Sequence, residues 1–174
     1  MMGIFFSCQN DMDVIMDITG DDTEPGQIIE NAEYLFTEKG KLQNKLSAGL
    51  MKQYSHDSTY IIIEKNLKLE IFDENEMKVA QLTSKNGIYY ENSAKMEAID
   101  SVVFSNIEGE TLLTERLVWL QDSATIYSED PITIHRDGGV IYGDGIVSNE
   151  SFTRYSITRP RGELEMKQMT QENE

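Results

Sequence analysis

The sequence is poor in the residues that build disulfides, metal centres and membrane-spanning helices. One cysteine and two histidines among 174 residues are too few for an internal disulfide, a CxxC metal site or a histidine-rich zinc site. No apolar run reaches the roughly 18 residues that a transmembrane helix needs. Basic residues are also scarce, with 15 Lys and Arg against 31 Asp and Glu. The net charge of −16 argues against a nucleic-acid partner and against polybasic docking on anionic lipid.

The first eight residues form a short apolar run that ends at the only cysteine. Cys8 follows the small residue Ser7 and precedes the polar residues Gln9 and Asn10. A secretory signal has a basic start and an apolar core of about 7–15 residues, whereas this core is short and its basic start is missing. We interpret residues 1–8 as the end of a bacterial lipoprotein signal, with Cys8 as the lipidated residue. An ordinary free cysteine in a chain end is the alternative.

Composition divides the rest of the chain into three parts. Residues 9–26 carry six carboxylates between Asp11 and Glu24, which repel one another and predict a solvated acidic tether. Residues 27–160 hold most of the apolar side chains and form the predicted domain. Residues 161–174 are polar and are expected to form a C-terminal tail.

The pattern of the domain predicts β-structure. Residues 67–71 alternate between apolar and charged side chains, and residues 60–63 form an apolar run rich in isoleucine. Clusters of Gly, Asn, Asp and Ser recur at intervals of about 8–15 residues, which is typical of short antiparallel strands. The sequence therefore predicts an all-β fold, a jelly roll or β-sandwich.

One strand changes the face that it buries. Leu112 and Thr114 occupy even positions and would lie on one face of a regular strand, whereas Leu117 and Trp119 occupy odd positions and would lie on the other, a change of parity. A bulge near residues 115–116, or a strand that passes from one sheet to the next, predicts this change. Burial of both faces is an equally open explanation.

Signatures of catalysis are missing. The sequence contains no GxSxG, no HExxH and no phosphate loop, so we predict no catalytic residues, no metal site and no cofactor. His135 is expected at a strand end on the surface. His56 lies between Ser55 and Asp57, but adjacent residues do not reach the geometry of a nucleophilic triad. Trp119 and the tyrosines are expected in the core, with a sugar-stacking platform as the alternative.

Four segments in order resemble the LptC family, the periplasmic component of lipopolysaccharide export. They are residues 32–42 (AEYLFTEKGKL) with 45–48, residues 80–90 (AQLTSKNGIYY), residues 109–119 (GETLLTERLVW) and residues 138–146 (GGVIYGDGI). The resemblance spans about residues 31–157. Better-known members carry an N-terminal transmembrane helix, and we expect an acyl anchor on Cys8, at the end of the short apolar run, to take its place.

The resemblance implies two curved antiparallel sheets, open at both ends, around an apolar groove for the acyl chains of lipopolysaccharide. Plain core packing is the alternative role for each residue expected to line it. The candidate lining residues are Leu69, Ile71, Val79, Leu82, Val102, Phe104, Leu112, Ile132, Ile134 and Val140.

The resemblance also implies partners that add strands at the sheet edges. The N-terminal edge around residues 33–37, with Tyr34 and Phe36, would face the LptF and LptG subunits of the inner-membrane ABC transporter. The C-terminal edge around residues 152–158, with Tyr155 and Ile157, would face an LptA-like periplasmic bridge. Gly143 and Gly145 are expected to allow the turn into that last edge through positive φ angles.

The resemblance therefore implies a lipopolysaccharide carrier without catalysis, on the periplasmic side of the inner membrane, with Cys8 as its lipid anchor. The alternative is a carbohydrate-binding or adhesin-like jelly-roll module on a lipoprotein tether. Exposed coplanar aromatic rings flanked by carboxylates would favour that alternative.

Overall fold

The computed structural model describes residues 24–55 and 58–164, and this part of the chain is almost entirely β-strand. Cys8, the acidic tether as far as residue 23, His56 and residues 165–174 lie outside the described residues. The strands are β1 Gln27–Glu38, β2 Lys41–Ser55, β3 Thr59–Glu64, β4 Leu67–Phe72, β5 Lys78–Ser84, β6 Asn86–Tyr90, β7 Lys95–Asn106, β8 Thr111–Leu120, β9 Thr125–Ser128, β10 Ile132–Arg136, β11 Gly139–Gly143, β12 Ile146–Asn149, β13 Tyr155–Ile157 and β14 Arg161–Leu164. One 3₁₀ turn, Glu91–Ser93, joins β6 to β7. The predicted all-β class is confirmed.

The strands combine into nine V-shaped antiparallel segments that share one line of bending, which we call the crease. β1, β2, β7 and β8 run through the crease unbroken. The pairs β3–β4, β5–β6, β9–β10, β11–β12 and β13–β14 are each interrupted there. For example, residues 44–47 of β2 pair with β4, whereas residues 50–55 of the same strand pair with β3.

The crease divides the meander into two sheets. Sheet I has the strand order β1-β2-β4-β5-β7-β8-β10-β11-β14, and sheet II has the order β1-β2-β3-β6-β7-β8-β9-β12-β13. All pairings are antiparallel, as predicted for a two-sheet jelly roll or sandwich. In both sheets the strands follow one another in chain order. The V-shaped segments are therefore stacked along one axis, with β1 at one end of the V along this axis and β13 with β14 at the other.

Unusual backbone angles mark the crease. Asn31 has a φ of 50°, and Asp100 and Ser101 have φ values of 68° and 54°. The pairing of β7 with β8 shifts register between Ile99 and Val102, because Asp100 and Ser101 together face the single residue Glu115. Extra residues of this kind bend a strand and re-aim its side chains.

This bend explains the change of parity in β8. Leu112 pairs with Ile134 of β10 in sheet I, whereas Trp119 pairs with Ile126 of β9 in sheet II. Of the explanations left open for this change, the passage of one strand between two sheets is confirmed. The bulge itself lies on the neighbouring strand, at Asp100 and Ser101.

The predicted C-terminal boundary at residue 160 is wrong. β14 pairs with β11 through Gly162 and Ile141, so the sheet continues past residue 160 to Leu164. The polar composition of this segment concealed the strand, because an edge strand needs few apolar side chains.

Candidate functional site

The inner face of sheet I carries an apolar row that crosses eight strands. Residues directly opposite each other in an antiparallel pair share a face, so the register defines the row. Its members are Tyr34, Leu46, Leu69, Leu82, Phe104, Leu112, Ile134 and Ile141. Gly162 of β14 ends it. The row reaches from one end of the V to the other.

Sheet II presents a matching row to the interior. Its middle is apolar, and polar side chains interrupt it towards the ends. The members are Gln53, Ile61, Tyr89, Met96, Trp119, Ile126, Ser148 and Tyr155. Residues of both sheets belong to one buried cluster, so the two faces pack against each other.

The interior is filled in its middle and open near β1. Phe104, Leu112 and Ile134 are fully buried, because the opposite sheet occupies the space above them. Near the first strand the sheets separate, and an apolar cavity of about 220 Å³ opens between them. Its lining residues are Tyr34, Phe36, Leu46, Met51, Ile61, Ile63, Tyr89 and Glu91.

Eight of the ten predicted lining residues lie in the buried cluster between the sheets. They are Leu69, Ile71, Leu82, Val102, Phe104, Leu112, Ile132 and Ile134. Val79 is half-buried and packs against this cluster. Val140 lies elsewhere, because it pairs with the exposed His135 on the outer face, and the inward residue of β11 is Ile141.

The comparison with protein families agrees with this architecture. The model of the family described as "Lipopolysaccharide-assembly, LptC-related" matches residues 5–157, most of the chain.

The chain belongs to the LptC family.

It is therefore a component of lipopolysaccharide transport, and the family works in the periplasm, attached to the inner membrane. A search of curated proteins finds no significant match. Within the described residues, no helix is long and apolar enough to span a membrane.

The residues expected at the N-terminal edge also face the interior of this LptC-family domain. β1 pairs with β2 alone, so its other edge is unpaired in the described chain. The side chains of Tyr34 and Phe36 line the cavity, and the Phe36 ring meets that of Tyr89 of sheet II at 6.5 Å between centroids. The unpaired backbone edge of β1 therefore lies beside the opening of the apolar cavity.

Gly143 and Gly145 do not have the expected positive φ angles, so that explanation is wrong. The structure gives a steric reason instead. A Cβ at Gly143 would lie 2.3 Å from Cγ2 of Ile157, and a Cβ at Gly145 would lie 2.8 Å from the Ser128 carbonyl oxygen. Glycine is needed because neighbouring chain segments approach closely.

At the C-terminal end, Tyr155 and Ile157 lie on β13 at the edge of sheet II and pack against the buried cluster. Phe152, the first residue of the edge expected at residues 152–158, is instead fully buried, although it lies in the polar β12–β13 turn. A lone aromatic residue among Ser, Asn, Thr and Arg is the signal that could have revealed its burial.

The outer face of sheet II carries three tyrosines in adjacent strands. The rings of Tyr54 and Tyr60 stack with centroids 5.1 Å apart and planes 8° from parallel, and Tyr60 lies 6.5 Å from Tyr90. Rings that stack on one another use their faces for each other, so they do not form the flat platform of a sugar site. Trp119, the other candidate for stacking, is buried in the core as predicted.

A cluster of charged side chains also lies on the outer face of sheet II. The Glu97 side chain is only 6% exposed and lies between Lys95, at 2.7 Å, and Arg116. Burial raises the pKa of Glu97, but the hydrogen bonds and charges of Lys95 and Arg116 outweigh it, so the net pKa is lowered. In the described part of the chain, no group of three or more His, Cys, Asp or Glu side chains could hold a metal ion.

Proposed function

We propose that this chain accepts lipopolysaccharide from an inner-membrane ABC transporter and passes it to an LptA-like periplasmic bridge, with the acyl chains held between the two sheets. The cavity at β1 is the observation that carries the proposal. At about 220 Å³, it exceeds the roughly 150 Å³ of an engineered apolar cavity that stays dry and binds benzene. It also opens directly onto the apolar row of sheet I.

Unpaired strand edges support docking at both ends of the V. β1 is twelve residues long and pairs on one side only, so the backbone N–H and C=O groups of alternate residues are free along its other side, and such an edge is a template for strand addition. We assign this edge to the LptF and LptG subunits, because the cavity mouth lies beside it. We assign the edge formed by β13 and β14 to the LptA-like bridge.

Membrane attachment through Cys8 completes the proposal. An acyl group contributes about 0.8 kcal/mol for each buried CH₂, so two chains hold a protein firmly on a bilayer. Metabolic labelling with a radioactive fatty acid should mark the protein, and Cys8→Ser should abolish the label. Equal labelling of the variant would contradict the anchor and leave the domain's role untouched.

The test of the carrier role is mass spectrometry of the purified protein for bound glycolipid. Ile61 lines the cavity and is 8% exposed, so Ile61→Trp should fill the cavity and reduce the bound glycolipid severalfold. Val147→Trp is the matched control, because Val147 is 56% exposed on the outer face of sheet II. Equal occupancy of Ile61→Trp and the control would contradict the proposal.

A further inference from the structure

The open side of the V, opposite the crease, is fastened between the β7–β8 turn of sheet I and the β12–β13 turn of sheet II. Asn106 Nδ2 donates a hydrogen bond of 2.8 Å to the Phe152 carbonyl oxygen. The Tyr155 hydroxyl donates one of 3.1 Å to Glu110 Oε1. These two hydrogen bonds connect the rim of sheet I at its middle strands, β7 and β8, to the rim of sheet II at its last strands, β12 and β13.

Phe152 fills the interior behind this fastening. Its ring lies 5.3 Å from that of Phe104 in sheet I and 5.0 Å from that of Tyr155 in sheet II, and it is fully buried. Its φ of 54° is uncommon for a bulky side chain. The backbone is thus held in an unfavourable conformation while the ring occupies space between the two apolar rows. Such strain is a reason to look for a functional role.

The β12–β13 turn is organised as a unit around Asn149. Asn149 Oδ1 accepts hydrogen bonds from the backbone N–H groups of Thr153 and Arg154 at 3.1 and 2.8 Å. The Phe152 N–H donates to the Asn149 carbonyl oxygen at 3.0 Å. Because these bonds are internal to the turn, they persist if the turn moves away from sheet I.

We propose that the turn of residues 149–154 is a lateral gate and that Phe152 is its plug. Release of the Asn106 and Glu110 hydrogen bonds lets the turn swing outwards and withdraws the ring from Phe104. An acyl chain that has entered at the cavity then takes the vacated space on its way to the last strands. This inference rests on the proposed carrier function and adds a closed state that the cargo must open.

Site-specific photo-crosslinking of the full chain with purified lipopolysaccharide tests the gate. One crosslinker replaces Leu46 in the cavity lining, and another replaces Ile134, which is buried in the plugged half. Asn106→Ala removes the bond to Phe152 between the rims, and also the bonds that its Oδ1 accepts from the N–H groups of Glu108 and Glu110 within its own turn. Loss of the bond between the rims, about 1 kcal/mol, should raise the open-to-closed ratio and the labelling at Ile134 about fivefold. Labelling at Leu46 should not change.

Two further variants make the result decisive. Tyr155→Phe keeps the ring and removes the hydroxyl that bonds to Glu110 and also contacts Arg136, both in sheet I, so it tests the gate even if Asn106→Ala does not fold. Asn75→Ala is the matched control, because Asn75 lies on an exposed turn of sheet I far along the chain from the gate. Unchanged labelling at Ile134 beside clear labelling at Leu46 would overturn the gate alone. No labelling at either position in any variant would overturn the carrier function itself.

Discussion

At the scale of single residues, the close packing around Gly143 gives the clearest prediction about stability. Gly143 is surrounded by Ile157, Ile132 and the Thr158 carbonyl oxygen, and a Cβ added to it would lie only 2.3 Å from the first of them. We expect Gly143→Ala to lower the free energy of unfolding by about 1–3 kcal/mol, because the added methyl overpacks the junction of β11 and β12. Denaturant unfolding measures this change. Gly26→Ala is the control, since its Cβ would meet nothing closer than 4.0 Å, and an equal loss there would contradict the steric argument.

Glu97 predicts a dependence of stability on pH. Because its pKa is lowered on folding, its ionised form stabilises the native state above the unfolded pKa of about 4.3, and this stabilisation is lost as the pH falls through the folded pKa. Glu97→Gln should therefore cost about 1.5–3 kcal/mol at pH 7, the range for hydrogen bonds to charged groups.

The same variant should approach the wild type in strongly acidic solution. Unfolding curves of both proteins from pH 7 to pH 3 measure the convergence. A difference that stays constant over this range would show that the Glu97 charge does not contribute.

At the scale of strands, the positive φ angles at the crease restrict which residue types the bent positions tolerate. Ser101 has a φ of 54° in the bulge of β7, a region where β-branched residues are strained. We expect Ser101→Val to lower the free energy of unfolding by about 1–2 kcal/mol. Ser105→Val, in the regular part of the same strand, should be neutral or stabilising, because valine favours strands. If the two variants behave alike, backbone strain at the bulge is not the cause.

Strand alternation explains which lining residues the sequence could predict. Leu69 and Leu82 lie in strands with regular alternation, so their inward direction follows from period two. In β11 both Val140 and Ile141 are apolar, and alternation does not choose between them. The register between β10 and β11 pairs Ile141 with the buried Ile134 and so places Ile141 on the inner face. This register cannot be read from the sequence of one strand alone.

At the scale of the whole molecule, the fold class was predictable but the shape of the interior was not. The change of parity in β8 indicated that one strand could pass between sheets, whereas in the structure the chain crosses the crease nine times, in four unbroken strands and five interrupted pairs. Whether the sheets touch or separate depends on side chains from distant strands, so the cavity at Phe36 and Tyr89 and the plug at Phe152 required the structure. Neither the cavity nor the buried Phe152 leaves a regular hydrophobic periodicity in the sequence.

The central claim is that acyl chains enter the interior beside β1. Photo-crosslinking in living cells at two adjacent positions tests it most directly. Phe36 lines the cavity, whereas Leu35 is 58% exposed on the same strand. A crosslinker at Phe36 should label lipopolysaccharide, and one at Leu35 should label it weakly or not at all. Equal labelling at the two positions, or labelling at Leu35 alone, would contradict the account.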